Sequence, residues 1–274
     1  MTRPFAGQVV AITGGARGIG HATAKRLIEL GATVAIGDID EAVLEAAASE
    51  LATGTHALVD VTDPASVAAF LDHVEGELGP IDVLVNNAGI MPVGPIVDED
   101  DTVTRRILDI DVFGVIIGTK LALRRMLPRG RGHVINLASL AGELPFPGLS
   151  TYCGAKHAVL GFSDAVRKEV RGTGVDISCV LPTLTNTALA SGTRGMKGFR
   201  QVQPEEIAEA IVGLMKKPRP RVRVTKVSGW LVQSQGFVPG RLFEFVSRFF
   251  GVETQFLGDL DVKARAAYEE RARN

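Results

Sequence analysis

Short apolar runs rich in β-branched residues alternate with longer stretches of helical periodicity along most of this chain. Gln8–Thr13 predicts a buried strand, and Gly18–Leu30 a helix that stops at Gly31. Thr33–Gly37 predicts a second strand and Glu41–Ala52 a second helix. His56–Val59 is a third strand. Asp63 followed by Pro64 then reads as an N-cap with proline in the first helical position, opening a helix to Leu78. Asp82–Val85 is strand four, followed by one long helical stretch over 98–126. His133–Leu137, Thr151–Arg171, Asp176–Leu181, Pro204–Lys216 and Arg221–Thr225 continue the alternation of strand and helix. Such alternation predicts an α/β fold, with a parallel sheet covered by helices on both faces. Residues 183–203, rich in Gly, Thr and Ser, read as a mobile loop.

Composition narrows the function classes. The 274 residues are 46% apolar, enough for a sizeable core, and the net charge of −1 gives no electrostatic footprint for nucleic acid. Two cysteines without metal-ligand spacing, and five scattered histidines with no H-x-x-x-H pair, predict neither a disulfide framework nor a metal site. The amino terminus runs straight into an apolar strand with no leader pattern, so a cytoplasmic location is expected.

The turn between the first strand and helix is Thr13-Gly14-Gly15-Ala16-Arg17-Gly18-Ile19-Gly20. Glycines there let the backbone approach a pyrophosphate, and the helix N-terminus aims free N–H groups at the anion. A nucleotide site is expected at Gly14, Arg17, Gly18, Ile19 and Gly20. Asp38 closes the second strand. A carboxylate there accepts hydrogen bonds from an adenosine ribose and repels a 2′-phosphate, which favours NAD over NADP. Arg17 is the counterweight, either a partner for such a phosphate or a solvated loop residue.

Tyr152 and Lys156 lie one helical turn apart, thirteen residues beyond Ser139. Residues four apart share a helix face, so the ammonium can sit beside the phenol and favour its ionised form. Ser139 would hold a substrate oxygen. Alone, Y-x-x-x-K is a frequent helical coincidence; its meaning comes from the company it keeps.

Taken with Asn86-Asn87-Ala88-Gly89 after strand four, these motifs resemble the classical short-chain dehydrogenase/reductase family from about Gln8 to Thr225. The resemblance implies a Rossmann-type doubly wound sheet and hydride transfer between a nicotinamide and an alcohol or carbonyl. It makes Tyr152 the general acid/base, has Lys156 lower that tyrosine's proton affinity and hold the nicotinamide ribose, and has Ser139 orient the substrate. It also assigns Asp60 and Val61 to the adenine, and Asn87, Ala88 and Gly89 to the cofactor. Pro182, Thr185 and Thr187 match the segment beside the nicotinamide. Asp111 stands where the family has a catalytic asparagine, and Thr183 where it has a glycine. Asp111 is expected to keep the proton relay working; the extra carboxylate near Lys156 could also pair with it and alter its charge balance. The missing glycine resembles the hydroxysteroid and retinol dehydrogenase subgroup. The family further implies a homodimer or homotetramer paired through the two long helices.

Residues 1–227 are thus expected to form the catalytic unit and 228–274 a C-terminal helical extension. The extension holds Trp230 and half of the phenylalanines. Gly240–Gly251 forms an amphipathic helix on a wheel, which packs on protein or lies on a membrane surface. Val262–Arg273 reads as a charged, solvated helix. Met91, Pro92, Leu144, Pro145 and Phe146, with Glu143 as an exception, suggest an apolar mouth for a lipophilic alcohol or ketone. An NADP-dependent 3-oxoacyl-carrier-protein reductase and a non-catalytic nucleotide sensor are the competing readings.

Overall fold

A computed structural model describes residues 3–193, 201–225, 256–258 and 261–273. Among these residues seven strands form one sheet in the order β3-β2-β1-β4-β5-β6-β7. They are β1 (Val9–Thr13), β2 (Thr33–Asp38), β3 (Thr55–Leu58), β4 (Val83–Asn86), β5 (Gly132–Leu137), β6 (Val175–Leu181) and β7 (Arg221–Arg223). Every pairing is parallel. The helices are α1 (Gly18–Glu29), α2 (Glu41–Leu51), α3 (Pro64–Leu78), α4 (Asp101–Leu108), α5 (Val115–Met126), α6 (Ser150–Glu169), α7 (Pro204–Lys216) and α8 (Val262–Arg273).

Alternate residues of each strand feed opposite faces, as the pleat requires. Val10 and Ile12 of β1 join Leu27, Leu44, Ile207 and Ile211 from α1, α2 and α7. Val9 and Ala11 join Phe70, Leu71, Met126 and Val166 from α3, α5 and α6. A sheet buried on both sides explains the near-continuous apolar strands of the sequence. The chain runs outward from β1 through β2 to β3, then crosses to β4 on β1's other side. That reversal opens a crevice above the carboxyl ends of β1 and β4, the usual place for a ligand in such a sheet.

The helix predicted over 98–126 is three pieces. A 3₁₀ turn at Ile96–Asp98 precedes α4, and a π-helical turn over Asp109–Gly114 joins α4 to α5. The wider turn carries Asp111, whose side chain is fully buried, and brings Gly114 against Val61. Beneath the crevice a buried polar chain ties four elements together. The Asn86 amide donates to Asn136 Oδ1 (2.8 Å) and Thr119 Oγ1 (3.3 Å), and the Asn136 amide donates to Ser163 Oγ (2.9 Å). β4, β5, α5 and α6 are therefore locked in register directly below the site.

The solvated helix expected at the carboxyl end is α8, but one face of it is buried. Arg265 is 3% exposed, Tyr268 9% and Ala272 2%. These positions are three and four residues apart and share a face. The amphipathic helix expected at Gly240–Gly251 lies outside the described residues, as do Trp230 and residues 194–200 of the Gly-rich loop. The described part of that loop holds a 3₁₀ turn at Ala188–Ala190 and a bridge from Thr185 to Val202.

Candidate active site

The glycine turn fills the space between β1 and α1 completely. A Cβ on Gly20 would fall 2.2 Å from the Gly14 carbonyl oxygen, and Gly14 has φ +63 with Ala88 Cα 2.9 Å from where its Cβ would be. Glycine is thus required at both positions. The Asn87 amide donates to the Thr13 (3.0 Å) and Gly14 (2.8 Å) carbonyls, and Asn87 N–H donates to Thr13 Oγ1 (3.1 Å). Asn87 therefore holds the turn itself in shape.

Helix α1 differs from its neighbours at its start. α2, α3 and α4 each begin on an aspartate (Asp40, Asp63, Asp100) whose carboxylate accepts first-turn N–H groups. α1 begins on Arg17 with no side-chain cap and no acidic residue in its first turn. Its N–H groups are left open toward the crevice, which fits a bound pyrophosphate.

Asp38, at the end of β2, accepts from Ala16 N–H (3.2 Å) and Ile39 N–H (2.9 Å). Arg17 is neither free nor simply solvated. Its guanidinium bonds Asp40 at 2.7 Å, and that bond, with the Val43 N–H, holds the Asp40 carboxyl below its ordinary range. The Asp60 carboxylate accepts from both the N–H and the hydroxyl of Thr62.

The cleft is lined by Ile19, Asn87, Gly89, Asp111, Ser139, Tyr152, Lys156, Pro182, Thr185 and Thr187, all singled out from the sequence. Gly14, Arg17, Gly18, Gly20, Asp38, Asp60, Val61 and Ala88 lie outside this lining, around the carboxyl edge of β1 to β4. The cleft encloses about 840 Å³ of empty space, part of it open solvent.

Tyr152 and Lys156 project from the first turns of α6, where both side chains are buried, and the ammonium sits 5.5 Å from the phenol ring centre. Ser139, following β5, accepts from Ala141 N–H (3.1 Å) and lines the cleft with Tyr152. Lys156 Nζ donates to the Leu137 carbonyl (3.1 Å) and lies 3.3 Å from Asp111 Oδ2. Asp111 Oδ1 accepts from Ile90 N–H at 2.8 Å. Burial pushes the Asp111 carboxyl up, against the opposing pull of Lys156 and the Ile90 N–H. Burial also drives the Tyr152 phenol well above its ordinary value, the Asp111 charge adds to this, and the Ser139 hydroxyl opposes it. The expected lowering of the phenol by Lys156 is therefore offset here: the ammonium faces Asp111 first. Among the described residues the Thr183 hydroxyl is buried without a partner on the cleft wall, a polar group that fits the amide end of a nicotinamide. The Thr187 methyl lies 3.3 Å from the position of a Gly18 Cβ, closing the cleft over the glycine turn.

Glu143 is not at the mouth. It is tied to Arg221 (2.9 Å) and doubly to Arg223 (2.6 and 2.7 Å) of β7. Pro92, Leu144 and Pro145 do not line the cleft, whereas Met91 and Phe146 do. Reading the sequence missed Leu140, Leu149, Leu184, Leu189 and Phe256 on the walls. Phe256 packs edge-on against Phe146, with ring centres 6.0 Å apart. Its signal was an aromatic residue beside Leu257 in a mixed stretch, which gives no address without the fold.

Comparison with known proteins bears on this geometry. The family model for short chain dehydrogenase matches residues 8–198. A cis-4-hydroxycyclohexanecarboxylate dehydrogenase of Sinomonas cyclohexanicum is 38% identical over 227 residues, 78% of this chain and 91% of its own length. A 3beta-hydroxysteroid dehydrogenase 2 of Eggerthella lenta is 34% identical over 247 residues, covering 86% and 92%. Levodione reductase superposes with a TM-score of 0.74 at 27% identity, over 80% of this chain and 96% of that one. A Burkholderia phymatum short chain dehydrogenase/reductase, solved in complex with NAD, shares the fold with a TM-score of 0.79 at 22% identity, over 85% and 94%.

Proposed function

Because the chain belongs to the short-chain dehydrogenase family, an oxidoreductase family acting on CH–OH groups, we propose that it interconverts an apolar secondary alcohol and its ketone using NAD, with Tyr152 moving the proton. The observation that carries this reading is one cleft that joins Ser139, Tyr152 and Lys156 to the glycine-turn side of the sheet.

The open N-terminus of α1 and the turn from Gly14 to Gly20 would hold the pyrophosphate, and Asp38 the adenosine ribose. Lys156, Asn87, Ala88, Gly89, Pro182, Thr185 and Thr187 would hold the nicotinamide end. The bound cofactor supplies or accepts the hydride. In carbonyl reduction, the Ser139 and Tyr152 hydroxyls hold the substrate oxygen and Tyr152 gives it a proton. In oxidation, the same phenol takes the proton back. The phenol's raised proton affinity keeps it neutral near pH 7, the form ready to donate. Taking a proton calls on the Lys156 charge, which Asp111 tempers across 3.3 Å.

Two features support NAD. The Asp38 carboxylate stands at the end of β2, and the one cation of the glycine turn is committed to Asp40. A 2′-phosphate would meet like charge and find Arg17 engaged. The apolar wall (Met91, Leu140, Phe146, Leu149, Leu184, Phe256) supports a lipophilic substrate. The names of two relatives, a hydroxycyclohexanecarboxylate and a hydroxysteroid dehydrogenase, point to ring alcohols.

The test is NADH and NADPH formation by wild type and Tyr152→Phe across a panel of cyclic and long-chain secondary alcohols. We expect NAD to be preferred. The variant should lose about a thousandfold in turnover while binding NAD nearly as well. Turnover retained by Tyr152→Phe refutes its role, and faster NADP reduction by wild type refutes the cofactor choice.

A further inference from the structure

The buried face of α8 is aimed at main-chain atoms of the two segments that wall the cleft. Arg265 Nη2 donates to the Met91 carbonyl, in the segment after β4. Arg265 Nη1 donates to the Leu189 and Ser191 carbonyls, each at 3.0 Å, in the loop after β6. Arg265 Nε bonds Glu269 Oε1 at 2.6 Å, and the same oxygen accepts from Val93 N–H at 3.2 Å. Tyr268 Oη accepts from Met91 N–H at 2.7 Å, and the guanidinium stacks 4.9 Å from the Tyr268 ring centre. The contact is close at the loop as well. Ser191 Oγ donates to the Ala264 carbonyl (2.7 Å), Asp261 N–H donates to the Gly192 carbonyl (3.0 Å), and a Cβ on Gly192 would fall 2.5 Å from the Asp261 oxygen.

Met91 and Leu189 both line the cleft, so Arg265 bonds the backbone behind each of those residues. A guanidinium presents five N–H donors in a fixed planar fork, and burying it is unfavourable unless its partners are all in place. One carboxylate and three carbonyls satisfy it, and those carbonyls come from segments with no strand pairing to each other. Releasing either wall leaves a buried charge short of partners, so the two walls are held at one separation together.

We infer that Arg265 is a positioning residue for the substrate: by tying the Met91 wall to the Leu189 wall it fixes the width of the substrate end of the cleft. It touches neither substrate nor cofactor and acts through those two segments. The inference rests on the reading of this cleft as an alcohol and carbonyl site. An α8 that merely covered apolar surface would not need a charged fork on main-chain carbonyls. The substrate class it serves is one whose carbon skeleton must be gripped from two sides, such as a ring alcohol.

The experiment compares full-length wild type, Arg265→Ala, Arg265→Lys and Gly192→Ala. Five quantities are read: KM and kcat for the best alcohol of the panel at saturating NAD, the Kd for NAD, the melting temperature, and amide hydrogen exchange at Met91 and Val93. Arg265→Ala should raise KM about tenfold or more, change kcat less, and leave the NAD Kd within about twofold. It should also speed exchange at both amides. Arg265→Lys keeps a charge and part of the donor set, and should recover part of the KM. Gly192→Ala, with a residue at φ +71 and no room for a Cβ, should reproduce the KM rise by pushing the loop off α8. A lowered melting temperature with unchanged KM and unchanged exchange overturns the inference, as does equal loss in the alanine and lysine variants. If wild type oxidises none of the alcohols, the functional reading fails, and the exchange rates alone still decide whether Arg265 holds the walls.

Discussion

The cleft is built by two unlike methods on its two sides. On the cofactor side, backbone is packed against backbone. Gly14, Gly20 and Ala88 leave no space for another carbon, and the Asn87 amide closes the turn on Thr13 and Gly14. On the substrate side, a few polar side chains of α8 grip the carbonyls and N–H groups of segments that share no ladder with it. The first method suits a ligand that never changes, because a pyrophosphate needs only N–H groups and a close approach. The second suits a variable one, since the walls can be reset by changing residues at the chain's end without disturbing the sheet. Rigidity comes from excluded volume in one half and from satisfying a buried charge in the other.

The sharpest way to break that contrast is Gly20→Ala. Its Cβ would overlap the Gly14 oxygen, so NAD affinity should fall about a thousandfold and stability by roughly 1–3 kcal/mol. Titration calorimetry on a folded variant that still binds NAD normally would show that the turn is not held by volume. The next effect belongs to the sheet that supports both sides. His133, on β5, is buried with its Nε2 2.8 Å from Ser178 Oγ, and burial lowers its pKa from 6.5 to about 4. Between those values the unfolded chain binds a proton that the folded chain does not. Stability is therefore complete above pH 6.5 and falls by about 3 kcal/mol as pH drops to 4. Urea melts at pH 7 and pH 4.5 should show this slope in wild type and a flatter one in His133→Gln; parallel slopes would remove His133 as the cause. The smallest effect is at the seam between the halves. Asp111→Asn removes a negative charge that raises the Tyr152 phenol. The pH profile of alcohol oxidation should move down by about one unit, with the maximal rate within about tenfold. An unmoved profile would show that Asp111 does not set the proton affinity of Tyr152.

The same contrast explains what the sequence could tell. The strands, the glycine turn and the Tyr152/Lys156 pair were legible because each is a local pattern, read within a few residues. The π-helical turn was not, because one extra residue between two apolar stretches leaves the helical periodicity of 98–126 almost intact. Glu143 was read as part of the mouth from its neighbours in sequence, whereas its partners are two arginines on β7, about eighty positions away. In the sequence α8 reads as solvated because half of its residues are charged. Its partners are main-chain atoms more than seventy residues away, and main-chain atoms carry no sequence signature. Asp111 was legible both as a departure from a family pattern and as a carboxylate placed to pair with Lys156, and the pair is there at 3.3 Å; the burial that raises the Tyr152 phenol was not legible, because it depends on the whole packed cleft.

Arg265 follows every residue of the cleft lining along the chain, which has a consequence for the order in which the protein is made. Synthesis proceeds from the amino terminus, and the parts that can fold early do so while the rest is still being added. The glycine turn, Asp38 and the Asn86–Gly89 segment are all made well before Arg265. Met91 and Leu189 must wait for Arg265, which is made 76 residues after Leu189, before either is fastened. A nascent chain therefore holds the glycine turn long before its substrate wall is tied, and a chain stopped before Arg265 would keep the first without the second.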